Sequence, residues 1–519
     1  MRWKLIAAGA LISLLGAAGG CSKDLKEEVS DLNPMSDSPI PKQGTVLTNF
    51  KPAVDDYAAI DEGRAESVAL KNSAGNGLLR DRALSAYLNG LLDKLVAAGP
   101  VPNLPARVYV RDTTLPNAHA ANDGAIFITV GMLRNLKNED QLAALLAHEL
   151  AHVLYQDKQS DWWLEAQKRL ISAQLLARDV SANVSREGTQ EASADLNRLS
   201  LMSEAAHFVS DTAIAPIYQR DQEDRADLFS VDLLQRTDYR NLAMKRVAEL
   251  LAEANKKLRE RRSAARERLV NRMARSLGGD AELVRKVAAK VSDKALGAFE
   301  AAFGSDHRPP ERRKKLIARY QFDKHAGSQS KKPVRLPWRE PDGEMRETQV
   351  ADAATTRRIG RLFENYATAH KAREALDEGE RRRAVRLARQ AVSGPTEHAP
   401  YPRMTFYRVR ASADQDRKAW QNLKIGMQAP KPALVFYEKA IVRAARRGRP
   451  DLALQISGEA QDKLNDPARL WPWRIYLLDR TGRTKEAMAL QTKCRLEYPG
   501  KLEQLCRFGP SGVRQGTDT

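Results

Sequence analysis

Residues 145–154 read LLAHELAHVL: two histidines and a glutamate set in an apolar run. His148 and His152 stand four apart, which on a helix places them on one face, one turn apart. Their imidazoles can therefore converge on one ion, with Glu149 flanking it. This is the H-E-x-x-H pattern, in which the histidines hold zinc and the glutamate is the general base toward a zinc-bound water. Burying three titratable groups among Leu145, Leu146, Leu150 and Val153 is costly unless a metal or hydrogen-bond partners compensate.

Catalytic zinc usually takes three protein ligands and keeps one position open. The stretch 219–234, QRDQEDRADLFSVDLL, supplies a candidate third. Glu223 and Asp227 are again four apart, and Leu228, Val231 and Leu234 follow at helical spacing. Glu223 is placed to face the ion. Asp227, one turn on, is placed to accept a hydrogen bond from a ligand histidine, fixing its tautomer and raising its basicity. The stretch also carries Asp221, Asp224 and Asp232, so a solvated acidic helix face is the plainer alternative.

HELAH followed by EDRAD resembles the gluzincin peptidases that include the CAAX prenyl proteases and the HtpX-type heat-shock proteases. Within them it is most similar to a periplasmic branch that includes the outer-membrane β-barrel assembly-enhancing protease, with its tetratricopeptide tail. Two further stretches carry the resemblance, which covers roughly residues 50 to 325. LPNAHAANDGAIFITVGMLRNL contains Asn117, Ala118, Gly124 and Gly131, and SDHRPPERRKKL contains His307, Pro309 and Arg313. The resemblance implies one zinc ion held by His148, His152 and Glu223, with Glu149 as catalytic base. It implies an edge strand beside the site, in which Ala125, Ile126, Phe127 and Ile128 pair with an extended substrate. A plain core strand fits their apolar content as well. It also implies that the loop of His307 and Arg313 covers the zinc or stabilises the oxyanion, where the residues alone suggest an exposed loop histidine. His119 is a second histidine near the site.

The elements that must position these residues define an α+β fold, mainly α: a zincin-like domain with a small sheet, followed by an α-helical domain. The expected division is 1–20 signal peptide, 21–45 tether, 46–326 metallopeptidase, 327–350 linker or wrapped loop, and 351–519 helical domain. Helix–turn–helix segments such as KPALVFYEKAIVRAARRGRPDLALQISGEAQDKL suit stacked hairpins of the tetratricopeptide sort; a non-repeating bundle is the alternative.

Arg2 and Lys4, an apolar stretch from Leu5 to Ala18, and small residues before Cys21 read as a signal peptide with a lipobox-like end. Cys21 is the candidate lipidated residue, and Ser22 after it suggests the outer membrane. The expected location is the periplasm, where Cys494 and Cys506 are able to pair or stay as free thiols. The formal net charge is +19, of which residues 351–519 contribute +14, from 33 basic and 19 acidic residues. With an export signal, nucleic acid is not an expected partner; acidic protein surfaces and lipid headgroups are, unless the charge serves solubility alone.

The expected function is zinc-dependent endoproteolysis of misfolded or stalled envelope proteins. The alternative is an outer-membrane protein assembly chaperone or scaffold, with a latent zinc site and repeats that bind the assembly machinery.

Overall fold

The computed structural model describes residues 39–157, 196, 199, 218–254, 256, 257, 260, 310–327, 331–340, 343–465 and 467–497. Cys21, His307 and Cys506 lie outside the described residues. Met1–Thr45 forms one unit and Val46–Thr519 another. The description below concerns the second.

It is mainly helical with one small sheet. The elements in order are α1 (Arg64–Ser73), β1 (Leu78–Leu79), α2 (Arg82–Ala98), β2 (Arg107–Arg111), β3 (Ala118–Ala120), β4 (Ala125–Thr129), α3 (Val130–Asn135), α4 (Glu139–Leu154), α5 (Arg220–Gln235) and α6 (Pro310–His325). Then follow α7 (Ala353–Asp377), α8 (Arg381–Ala391), α9 (Pro400–Ser412), α10 (Asp416–Met427), α11 (Leu434–Arg446), α12 (Pro450–Leu464), α13 (Trp471–Arg480) and α14 (Thr484–Glu497). A helical stretch also runs over residues 243–254. Among the described residues no helix is long and apolar enough to cross a membrane.

The sheet order is β1-β2-β4-β3. β2 and β4 run parallel, with Tyr109 opposite Phe127, and β3 returns antiparallel to β4, with His119 opposite Phe127. This corrects the edge-strand expectation for residues 125–128. All of β4 is buried between β2 and β3, so its main-chain groups are spent on neighbours. Among the described residues the edge strand beside the site is β3, whose three residues are themselves buried.

Residues 331–340 form a strap against the start of α4. Val334 accepts from the Glu139 amide (2.8 Å), and Trp338 Nε1 and Arg339 Nε donate to the carbonyls of Leu133 (3.1 Å) and Leu136 (3.0 Å). These bonds satisfy main-chain groups that a helix start and a loop would otherwise leave orphaned.

The later helices pack consecutively, α7 on α8, α9 on α10, α11 on α12 and α13 on α14, joined by short turns. They dock on the sheet end of the preceding part. The Asp112 carboxylate, just past β2, accepts from the Tyr366 hydroxyl (2.7 Å) and the Tyr401 amide (2.7 Å). Arg358 pairs with Asp81, the N-cap of α2, at 2.7 Å. Gly77 sits at this contact with φ +81, where a Cβ would meet the Asn72 carbonyl at 2.7 Å and the Ala433 Cβ at 3.0 Å. Only glycine accommodates both the left-handed backbone and that approach. Cys494, buried on α14, is disulfide-bonded.

Candidate metal centre

The site is built on two buried helices. α4 begins at Asn138, whose side chain accepts from the Gln141 amide, and carries Glu139 and Asp140 in its first turn, where carboxylates favour the helix dipole. Both acids are also tied down. Glu139 accepts from the hydroxyls of Tyr87 and Tyr239, each at 2.7 Å, and Asp140 accepts from the amides of Arg240 (2.9 Å) and Val334 (3.0 Å). Every residue from Glu139 to Leu154 is buried. α5 crosses α4, fastened by the Ser230 hydroxyl on the Ala144 carbonyl at 2.9 Å.

This crossing brings His148, His152 and Glu223 together, with one ligand atom from each inside a 4.8 Å circle. His148 Nε2 and His152 Nε2 lie 3.3 Å apart. They lie 3.8 and 3.9 Å from the two Glu223 oxygens. The other ring nitrogens face carboxylates: His148 Nδ1 is 3.0 Å from Asp227 and His152 Nδ1 is 2.9 Å from Asp157. His152 Nδ1 is hydrogen-bonded to Asp157, and with the His148 proton on the nitrogen that faces Asp227 both Nε2 atoms present lone pairs to one another, a repulsion that a cation relieves. Two nitrogens on a tetrahedral zinc at its usual distance stand about 3.3 Å apart, which is the spacing found. The residues present fit zinc.

The electrostatics agree. Burial acts to lower the His148 pKa, but the Asp227 hydrogen bond and the charges of Asp227, Glu223 and Glu149 outweigh it and leave it raised. The pocket thus favours positive charge. Asp227 is depressed despite complete burial, because the Arg313 guanidinium and His148 stabilise its carboxylate.

Asp227 stands 3.0 Å from His148, a candidate ligand, whereas Asp157 was not singled out from the sequence. That carboxylate closes the second histidine–carboxylate pair and is held by Arg225. Burial pushes its pKa up to about 6 against the Arg225 charge. Its signal was position, five residues beyond His152 where the helix has ended. Tyr218 was missed as well; its ring stacks on His152 at 3.5 Å and 1°.

Arg313 corrects a second expectation. It is buried, with Nε and Nη2 on Asp227 (2.7 and 2.6 Å) and Nη1 3.0 Å from Glu223. Its donors are committed to carboxylates, so it serves as a clamp between α6 and α5 and is not free to meet an oxyanion. His119 is buried and stacks on Phe127 at 5.3 Å between ring centroids, and so belongs to the sheet's packing.

A buried two-helix H-E-x-x-H site with a glutamate from the second helix and a small adjacent sheet is an arrangement that fits a zincin-type metal centre. Residues 82–307 match peptidase family M48, and the chain carries a peptidase M48 domain. It is similar to the mitochondrial metalloendopeptidase OMA1 of Schizosaccharomyces pombe, 36% identical over 66 residues, 13% of this chain and 20% of that protein. It is 26% identical over 179 residues to the beta-barrel assembly-enhancing protease of Yersinia pestis, 34% of this chain and 35% of that protein. A protease HtpX homolog of Acidiphilium cryptum is 40% identical over 70 residues, 13% of this chain and 23% of that protein. The chain therefore spans between a fifth and about a third of these curated relatives.

Proposed function

We propose that this protein is a zinc-dependent endopeptidase acting on extended polypeptide segments. The observation that carries the reading is the convergence of His148, His152 and Glu223, with Glu149 beside them on the same buried helix. A purely structural zinc site has no need of Glu149.

His148, His152 and Glu223 would hold the ion, which when bound supplies Lewis acidity toward water and the scissile carbonyl. Asp227 and Asp157 orient the two imidazoles, and Arg313 holds Asp227 and Glu223 in place. Glu149 takes the proton from the attacking water and returns it to the leaving amine. The outer edge of β3, unpaired by any described strand, is placed to offer main-chain groups to a substrate in extended form, which suits sequence-tolerant cleavage.

The lipobox-like end at Cys21 supports a lipid-anchored protein of the bacterial periplasm, and misfolded or stalled envelope proteins as its substrates. The helices after residue 351 support a tetratricopeptide-like partner-binding part. A second reading, an assembly scaffold, is favoured by one observation: α12, α13 and α14 frame a groove of about 790 Å³ lined by Gln455, Arg474, Arg483 and Lys493. Cleavage of casein by the purified mature chain, beside the Glu149→Gln variant and with zinc content measured in both, separates the two. Zinc in both and cleavage by the parent alone is expected. Well-folded protein without zinc would overturn the endopeptidase reading and leave the scaffold.

A further inference from the structure

Among the described residues β3 pairs with β4 on one side and with no strand on the other. The Ala121 amide donates to Ala125 and the Thr129 amide donates to Asn117, so residues 117, 119 and 121 turn their main-chain groups toward β4. Ala118 and Ala120 turn theirs outward, as alternation along an antiparallel pair requires. Among the described residues, the group that meets this outward row is the Tyr218 phenol. Its oxygen lies 3.3 Å from the Ala120 nitrogen and 3.5 Å from the Ala120 carbonyl oxygen. One hydroxyl thus accepts from the N–H and donates to the C=O. An added antiparallel strand would make the same two bonds to Ala120 through a single residue. The Tyr218 ring lies flat on His152, so the phenol spans the short distance between a candidate metal ligand and the open edge. Tyr218 is buried and immediately precedes Gln219, the N-cap of the helix that carries Glu223.

We propose that Tyr218 is the resident occupant of the main-chain subsite at Ala120, and that an extended substrate binds by displacing its hydroxyl with its own N–H and C=O. This rests on the endopeptidase reading and adds a specificity to it. The substrate residue at this subsite must supply both groups. Proline, or any N-alkylated residue, leaves the Ala120 carbonyl without a donor and is rejected there.

The test measures binding, not turnover. A fluorescent unfolded peptide derived from casein is titrated into the zinc-loaded Glu149→Gln chain, and into the same chain carrying Tyr218→Phe. The phenylalanine keeps the ring on His152 and removes the competing hydroxyl, so the Kd is expected to fall about five- to tenfold, the worth of a hydrogen-bonded competitor. In the free protein, hydrogen exchange at the Ala120 amide is expected to speed up in Tyr218→Phe. A series of the peptide N-methylated at each position in turn, titrated into the Tyr218 chain, needs no second variant. One position is expected where methylation weakens binding at least tenfold. Equal Kd in both chains with unchanged exchange at Ala120, or an N-methyl series with no sensitive position, would overturn the displacement while leaving the endopeptidase reading intact. No binding by any zinc-loaded chain would overturn that reading and the proposal with it.

Discussion

Replacing Arg313 with methionine keeps most of the side-chain volume and deletes the charge. In the zinc-free protein this takes the guanidinium from Asp227, which is 0% exposed, and Glu223, which is 4% exposed, and leaves the His148 imidazole as the cationic group beside them. Arg313 makes two short bonds to the first and one contact at 3.0 Å to the second, all out of reach of solvent screening. Removing one partner of a buried ion pair costs about 3–5 kcal/mol, because the remaining charge is left under-compensated and out of reach of water. Bound zinc shares Glu223, so the same substitution costs less in the loaded protein. By linkage, the gap between the two costs equals the change in zinc-binding free energy, and each gap of about 1.4 kcal/mol means tenfold tighter zinc binding by the variant. Urea unfolding followed by tryptophan fluorescence, with zinc and with a chelator, gives both costs, and a chelator competition gives the affinity independently. A loss under about 1 kcal/mol in the zinc-free protein would refute the clamp. So would an affinity change that fails to close the cycle.

Asp157→Asn removes the charge from the carboxylate that orients His152 and is expected to weaken zinc binding roughly 10- to 100-fold, read by competition with a fluorescent chelator. Tyr366→Phe takes the hydroxyl from the buried Asp112 carboxylate and is expected to cost about 1–3 kcal/mol in urea unfolding. An effect near zero would mean that the later helices are not anchored through this bond. Gly131→Ala would place a Cβ 2.3 Å from the Thr114 carbonyl oxygen, and the backbone must yield. A loss of about 1–3 kcal/mol in the same assay is expected, and an unchanged midpoint would show that the Thr114–Leu115 backbone after β2 adapts.

What the sequence determined by itself was local. Residues four apart in a helix share a face whatever the rest of the chain does. His148 with His152, and Glu223 with Asp227, were therefore legible as two pairs, each on its own face. The flanking glutamate and the apolar run then named the chemistry. Tertiary structure decided everything that depends on which elements meet. Isoleucine and phenylalanine suit an interior strand as well as an edge one. The composition of residues 125–128 therefore could not reveal that β3 completes the sheet and leaves β4 enclosed. Asp157 and Tyr218 are separated by 61 positions, yet both meet His152 because α5 crosses α4 there. Arg313 reaches across 86 positions to Asp227. A spacing rule cannot see such pairs. Folding brings them together, and burial then obliges each charge or polar group to find a partner.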